Sequence, residues 1–277
     1  LQPIHSDGSG VQPPSLLDAA VSLPGAPARR SVRPAVATWT GDARGPAEAM
    51  PVPGDVPEVE MAERSEFANR ALNVVIAGIA LMLLAPLCVV VALLVKLTSK
   101  GPVFYTQTRI GLDRRWQRTA ADDADRRVED LGGQPFTILK FRSMTVDAEK
   151  NGQAVWAAKH DARVTAIGRI LRKTRIDEIP QLVNVLRGEM NIVGPRPERP
   201  SIVVRLRESI PEYTQRHRVK PGITGWAQIN HSYDSCIEDV KKKVEFDLEY
   251  IASQGVWTDL KIMLLTLPVM VFRKGAH

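Results

Sequence analysis

The stretch ALNVVIAGIALMLLAPLCVVVALLV, residues 71–95, limits the fold more than any other part of the chain, because its one polar side chain is Asn73. At about 1.5 Å per residue, a helix of this length reaches across the roughly 30 Å hydrocarbon core of a bilayer. Pro86 interrupts it. Proline removes a backbone donor and clashes with the preceding turn, so a sharp bend is predicted there. Such a helix either spans the membrane with a kink or dips into one leaflet and returns to the same side. Arg64 and Arg70 precede the run, and Lys96 and Lys100 follow it. Cations on both flanks set no inside–outside bias, and elementary physics leans towards the kinked span.

The rest of the chain divides around this segment. Residues 1–62 are rich in Pro, Ala, Gly and Ser and keep no helix or strand period. That composition buries too little apolar area to offset the entropy of ordering, so a disordered tail is predicted. No basic start followed by an apolar core marks a signal peptide. The net charge of +6 points to anionic partners. With 5% aromatic residues and no base-stacking platform, nucleic acid is disfavoured. Cys88 lies in the apolar run, so a disulfide with Cys236 is not expected, and no Cys/His spacing suggests zinc. GPVFYTQTRIG and PFTILKFRSM read as two short strands of a hairpin joined by the charged stretch 112–134. Helical patterning dominates from Asp147. The final apolar stretch, in TDLKIMLLTLPVMVFRK, is too short to span and reads either as a core helix or as one lying in the membrane interface.

RKTRIDEIPQLVNVL, residues 172–186, places Asp177 and Glu178 just after Arg172, Lys173 and Arg175. Ile179, Leu182, Val183 and Leu186 follow the i, i+3, i+4, i+7 spacing of one buried helix face. Pro180 is tolerated only in a first turn, and Gly188 is a natural stop. A helix is therefore predicted to start near Asp177 and end near Arg187. Asp177 then has two readings: it caps that helix, or it belongs to a site for phosphate and metal. Helix N-termini favour anions, and Arg169, Arg172, Lys173 and Arg175 add a field that keeps a carboxylate ionised and gathers phosphate. A hard divalent ion such as Mg²⁺ reconciles phosphate with carboxylate. Nucleophilic carboxylate, metal and cationic cradle together suit phosphoryl transfer. Downstream, Arg196, Glu198 and Arg199 sit among the prolines of IVGPRPERP, a rigid loop able to present a guanidinium fork to phosphate. The crowded cations Arg216, Arg218 and Lys220 read as a solvated basic face, and His217 has no metal partner at ligand spacing.

GPVFYTQTRIG, FTILKFRSM, RIDEIPQLVNVLRGEM, IVGPRPERP, VKPGITGWAQIN and DLKI, in that order, resemble the bacterial sugar transferases known as monotopic phosphoglycosyl transferases. The resemblance covers about residues 65–277. Each motif alone is weakly specific, whereas six in fixed order are highly specific. The resemblance implies an α-dominated α+β fold: a tail over 1–62, a re-entrant membrane helix bent at Pro86 over 63–100, and a catalytic domain over 101–277. That domain would carry a small β-hairpin and interfacial amphipathic helices, on the cytoplasmic face of a bacterial inner membrane. The implied reaction moves a sugar 1-phosphate from a UDP-sugar to polyprenyl (undecaprenyl) phosphate and starts assembly of a surface or exopolysaccharide glycan. By the same resemblance Asp177 attacks the sugar-bearing phosphate, UMP leaves, and the lipid phosphate resolves an aspartyl phosphosugar, with Mg²⁺ offsetting charge. Glu178 completes the acid pair, and Asp177, Glu178 and Asp259 are the implied metal positions. Arg172, Arg196 and Arg199 are the implied phosphate and substrate contacts, joined by Lys140 and Arg142 if their strand lies beside the acids. The implied partners are UDP-sugar, polyprenyl phosphate and inner-membrane lipids, without nucleic acid, and a homo-oligomer is compatible with them.

Two features depart from the family pattern. Ala85 stands before Pro86 where relatives commonly carry serine, so the bend relies on Pro86 and packing alone. The connection from Leu112 to Gln134 is longer than usual and includes DDAD, Asp122 to Asp125, which reads as a solvated loop. With one hydrophobic segment after a tail, the chain resembles a core-only form or the end of a longer protein. The alternative function is a membrane-tethered, non-catalytic interaction module of a polysaccharide assembly system. A third reading is a metal-dependent glycosyltransferase using DDAD.

Overall fold

Ser65 starts the membrane-type helix by accepting a hydrogen bond from the Ala68 amide, which satisfies one of the open donors of the first turn. The computed structural model describes residues 58–117, 130–146, 148, 161–231 and 236–271. Most of the expected tail and residues 118–129, with Asp122 to Asp125, lie outside the described residues. Helix α1 runs from Glu66 to Thr98, through Pro86. Among the described residues it is the one helix long and apolar enough to cross a membrane. Met82, Leu83, Val89 and Val90 are exposed along its middle, while Ala77, Val91 and Val95 are buried.

Both ends of α1 are bonded to the same globular domain. Arg70 donates to the carbonyls of Val185 and Leu186, both at 2.6 Å. Asn73 accepts from the Ile192 amide at 2.6 Å. At the other end Arg142 donates to the carbonyls of Ser99 and Lys100. The lone polar side chain of the apolar run thus has a specific backbone partner, as a buried amide requires.

Strands β1 (Phe104–Ile110) and β2 (Pro135–Phe141) form the expected antiparallel hairpin, with Tyr105 opposite Lys140 and Phe104 opposite Phe141. Strand period two puts Ile138 and Lys140 on one face. Ile138 packs in the cluster with Ala77, Val185 and Met190, and Lys140 reaches the acid pair. Helix α2 (Ala166–Lys173) packs Leu171 against Val91, Val95 and Phe141.

The predicted helix after the acids is displaced. Asp177 and Glu178 lie in a 3-10 turn, Ile176–Glu178, and helix α3 spans Gln181–Arg187. Gly188 ends α3 in the left-handed region at φ 83°, which glycine adopts without steric cost. The fully buried positions are Gln181, Asn184 and Val185, not the predicted stripe. The reason is two-sided packing. The helix lies between α1 and β2, and Asn184 turns to bond the edge of β2 at Leu139 N and Thr137 O.

A second sheet escapes the sequence patterning: β3 (Asn191–Val193) and β4 (Gly222–Thr224) pair in parallel. A Cβ on Gly222 would collide with the Gly194 backbone, so this close approach demands glycine. The remaining helices are α4 (Pro200–Ser209), α5 (Trp226–Asn230), α6 (Ile237–Ser253) and α7 (Val256–Val271). Trp226, Tyr250, Ile251 and Ile262 join Val193 in one core. Burying each large apolar side chain contributes about 1.5–3 kcal/mol. The final apolar stretch, in α7, is buried at Ile262 and exposed at Trp257, Leu264 and Leu267.

Candidate active site

Arg175 has φ 58°, the one left-handed non-glycine residue among those described. It turns the chain between α2 and the 3-10 turn, so Asp177 and Glu178 point into a cavity of about 400 Å³. Neither acid caps α3: the residue before that helix is Pro180, with no side-chain cap. The capping reading of Asp177 therefore fails.

The two acids differ in their partners. Glu178 Oε1 accepts from Lys140 Nζ and Arg196 Nη2, both at 2.7 Å, with Arg175 at 3.8 Å. Burial alone would raise its pKa, but Arg196 and Lys140 outweigh burial and hold it well below the usual carboxylate range. Asp177 Oδ1 is buried and has no hydrogen-bond partner. Burial, then the charge of Glu178, push its pKa up to about 6, against the pull of Lys140, Arg175 and Arg172. The expectation that the cationic field keeps the pair's pKa low thus holds for Glu178 and fails for Asp177. Two neighbouring carboxylates with pKa values driven apart are suited to different tasks. One is fixed as a permanent anion, and the other is a basic oxygen held without a partner.

Arg196 is fixed from behind. Its carbonyl accepts from Arg216 Nη2 at 3.0 Å, the Pro197 carbonyl accepts from Arg109, and the Glu198 carbonyl accepts from the Ile110 amide. The predicted rigid loop is therefore rigid through hydrogen bonds as well as proline. Arg216, expected on a solvated face, is buried instead, because Asp247 and Tyr213 meet it inside the domain.

Asp177, Glu178, Lys140, Arg142, Arg172, Arg196 and Arg199 all come to the same cavity. Arg142 lines it with its terminal nitrogens already given to the end of α1. Asp259 is not brought to the cavity. It accepts from the Tyr250 hydroxyl at 2.8 Å and pairs with Arg64. Arg175, Arg109 and Phe104 also line the cavity and were not singled out as site residues from the sequence. Arg175 sat in view as one cation of a run; its backbone conformation has no single-residue signal.

The family model for bacterial sugar transferases matches residues 64–273. The chain belongs to the bacterial sugar transferase family. This family member is 44% identical over 211 residues to the UDP-glucose:undecaprenyl-phosphate glucose-1-phosphate transferase of Escherichia coli (strain K12), covering 76% of this chain and 41% of that one. It is 39% identical to the UDP-N-acetylgalactosamine-undecaprenyl-phosphate N-acetylgalactosaminephosphotransferase of Aeromonas hydrophila, over 76% of this chain and 45% of that one. A third relative, from Caulobacter vibrioides and named as a UDP-glucose:undecaprenyl-phosphate glucose-1-phosphate transferase, is 38% identical over 81% of this chain and 76% of its own. The chain spans less than half the length of the first two relatives.

The donor set suits a hard cation only in part. Asp177 offers a buried oxygen without a partner, while one oxygen of Glu178 is engaged by two cations. Among the described residues no cluster of three or more metal-ligating side chains exists. The two carboxylates at the cavity, Asp177 and Glu178, are a donor number that suits Mg²⁺, which is commonly held by one or two carboxylates with substrate phosphates completing its shell.

Proposed function

We propose that the chain transfers a sugar 1-phosphate from a UDP-sugar to polyprenyl phosphate at the membrane, through a covalent phosphosugar on Asp177. One observation carries this reading: the buried Asp177 Oδ1, without a hydrogen-bond partner, in a cavity lined by Arg172, Arg175 and Arg199. A buried carboxylate oxygen left unsatisfied costs stability and calls for an explanation. Attack on phosphorus supplies one.

In the first step the Asp177 carboxylate forms a bond to the sugar-bearing phosphorus, the bond from that phosphorus to the bridging oxygen breaks, and UMP departs with the electron pair. In the second step an oxygen of the lipid phosphate attacks the same phosphorus. The bond to Asp177 breaks, the carboxylate is regenerated, and lipid diphosphosugar is released. Glu178 keeps Lys140 and Arg196 in place through its 2.7 Å bonds, and Arg172, Arg175 and Arg199 meet the diphosphate. Mg²⁺, when bound by Asp177 and the substrate phosphates with Glu178 beside them, supplies charge neutralisation.

The same reading makes α1 re-entrant and puts the domain on the cytoplasmic face of the inner membrane. The anchoring of both ends of α1 supports it. A span would leave Arg70 and Ser99 on opposite sides of roughly 30 Å of hydrocarbon, yet both bond one domain. The non-catalytic alternative gives no reason for an unsatisfied acid.

The test is a single turnover without acceptor. Purified protein, Mg²⁺ and a panel of UDP-sugars should release one UMP per active chain and leave a phosphosugar on Asp177, detected by peptide mass. Asp177→Asn should release none. An adduct on another residue, or UMP release undiminished in that variant, sinks the proposal.

A further inference from the structure

The cavity wall is not uniformly cationic. Phe104, Tyr105 and Val146 line it and are 47%, 36% and 64% exposed. Exposed apolar side chains gathered at the mouth of a charged cavity mark a surface that meets something apolar. Their position narrows what that is. Phe104 follows closely on the end of α1 at Thr98, and its ring stacks on Phe141 with centroids 5.3 Å apart. Phe141 in turn packs with Val91 and Val95 of α1. The next residue, Arg142, lines the cavity and holds Ser99 and Lys100. On the last turns of α1, Leu93 and Leu97 are 58% and 81% exposed. The exposed Phe104 ring is thereby tied, through the buried Phe141, to the last turns of α1, where Leu93 and Leu97 are exposed, and it borders the cavity that holds Asp177.

We propose that this rim is the doorway for the isoprenoid tail of the lipid acceptor. The inference rests on the reading above and adds which wall of the cavity serves which substrate. An acceptor whose phosphate must reach Asp177 keeps most of its tail in hydrocarbon, so its first isoprene units must cross from bilayer to cavity over apolar atoms. Phe104 and Val146 provide that crossing beside the membrane helix. The nucleotide, charged and water-soluble, needs no such surface.

The two half-reactions separate the claims. Phe104→Ala and Val146→Ser are compared with the unsubstituted protein in nanodiscs. Exchange of labelled UMP with UDP-sugar reads the donor half alone. Transfer to a long-chain polyprenyl phosphate and to a short water-soluble isoprenyl phosphate reads the acceptor half. The expected result is a KM for the long acceptor raised about tenfold by Phe104→Ala and less by Val146→Ser, with UMP exchange and the short acceptor changed less than about twofold. A fall in UMP exchange parallel to the loss of transfer would assign the rim to the nucleotide and overturn the doorway. An unchanged KM for the long acceptor in both variants would overturn it as well. Binding of long-chain polyprenyl phosphate to Asp177→Asn protein, with and without Phe104→Ala, needs no turnover. It should weaken about tenfold with the alanine, and equal binding rejects the doorway whatever the fate of the covalent intermediate.

Discussion

Two buried charge clusters lie on either side of Arg196, and they are built to opposite rules. Around Arg216 every terminal nitrogen is engaged: Nε and Nη2 with Asp247, Nη1 with the Tyr213 hydroxyl, and Nη2 with the Arg196 carbonyl. Nearby, burial pushes Glu198 up, but Lys243, Arg109 and Arg216 outweigh it and hold its carboxyl at about 2. Around Asp177 the neighbours are as charged, yet one carboxylate oxygen is left open. Buried charge by itself therefore says little about function. A closed network fixes the backbone, and an open one leaves an atom ready to react.

The largest expected effect tests whether the two clusters are as different as they look. Asp177→Asn should cut turnover by about 10³-fold or more while leaving the fold intact. The folded carboxyl titrates at about 6 against a reference of 3.8, so it binds its proton more tightly folded than unfolded. The stability this confers is complete below the unfolded value and lost as pH rises through about 6. At pH 8 the asparagine should be the more stable form, by up to about 3 kcal/mol, and in thermal melts the gap should shrink to about half near pH 5 and close below about pH 4. Asp247→Ala, in the closed cluster, should instead destabilise by about 3–5 kcal/mol at every pH tested, since it strands a buried guanidinium. Like behaviour of the two variants would break the comparison.

A smaller effect sharpens it. Turnover should fall tenfold per unit below pH about 6 as Asp177 takes up its proton. Lys140→Gln removes one of the charges that hold that pKa down, so the acid limb of the profile should move to higher pH. A limb that stays in place would mean that another group controls it. The smallest effect belongs to the closed cluster: Tyr213→Phe deletes one hydrogen bond to Arg216 and should cost about 1 kcal/mol in denaturant unfolding, with the pH profile unmoved.

The difference between the clusters also explains what could be read from the amino acids. Asp177 and Glu178 are adjacent and announced by Pro180, and the cations that join them lie in short runs whose residue types suit phosphate. The hairpin was legible because each strand runs for seven residues and β1 stops just before Gly111. Arg216 and Asp247 are 31 positions apart, and nothing local to either signals the other. The three-residue strands β3 and β4 are too short for any period to register. Asp259 had an acid's chemistry but a different address, because Arg64 and Tyr250 claim it in the first turn of α7. Arg142 had a cation's chemistry beside the right strand, and its geometry gives it to the backbone at the end of α1.

That last use of Arg142, with Arg70 and Asn73 at the far end of the same helix, carries a practical consequence. Trimming the chain at Lys100 to obtain a detergent-free protein would leave the Leu186 carbonyl, the Ile192 amide and the Arg142 fork without these partners together, and uncover Phe141 and Leu171. The hydrophobic arm is a keystone rather than a removable foot, so the soluble remainder should emerge from expression misfolded.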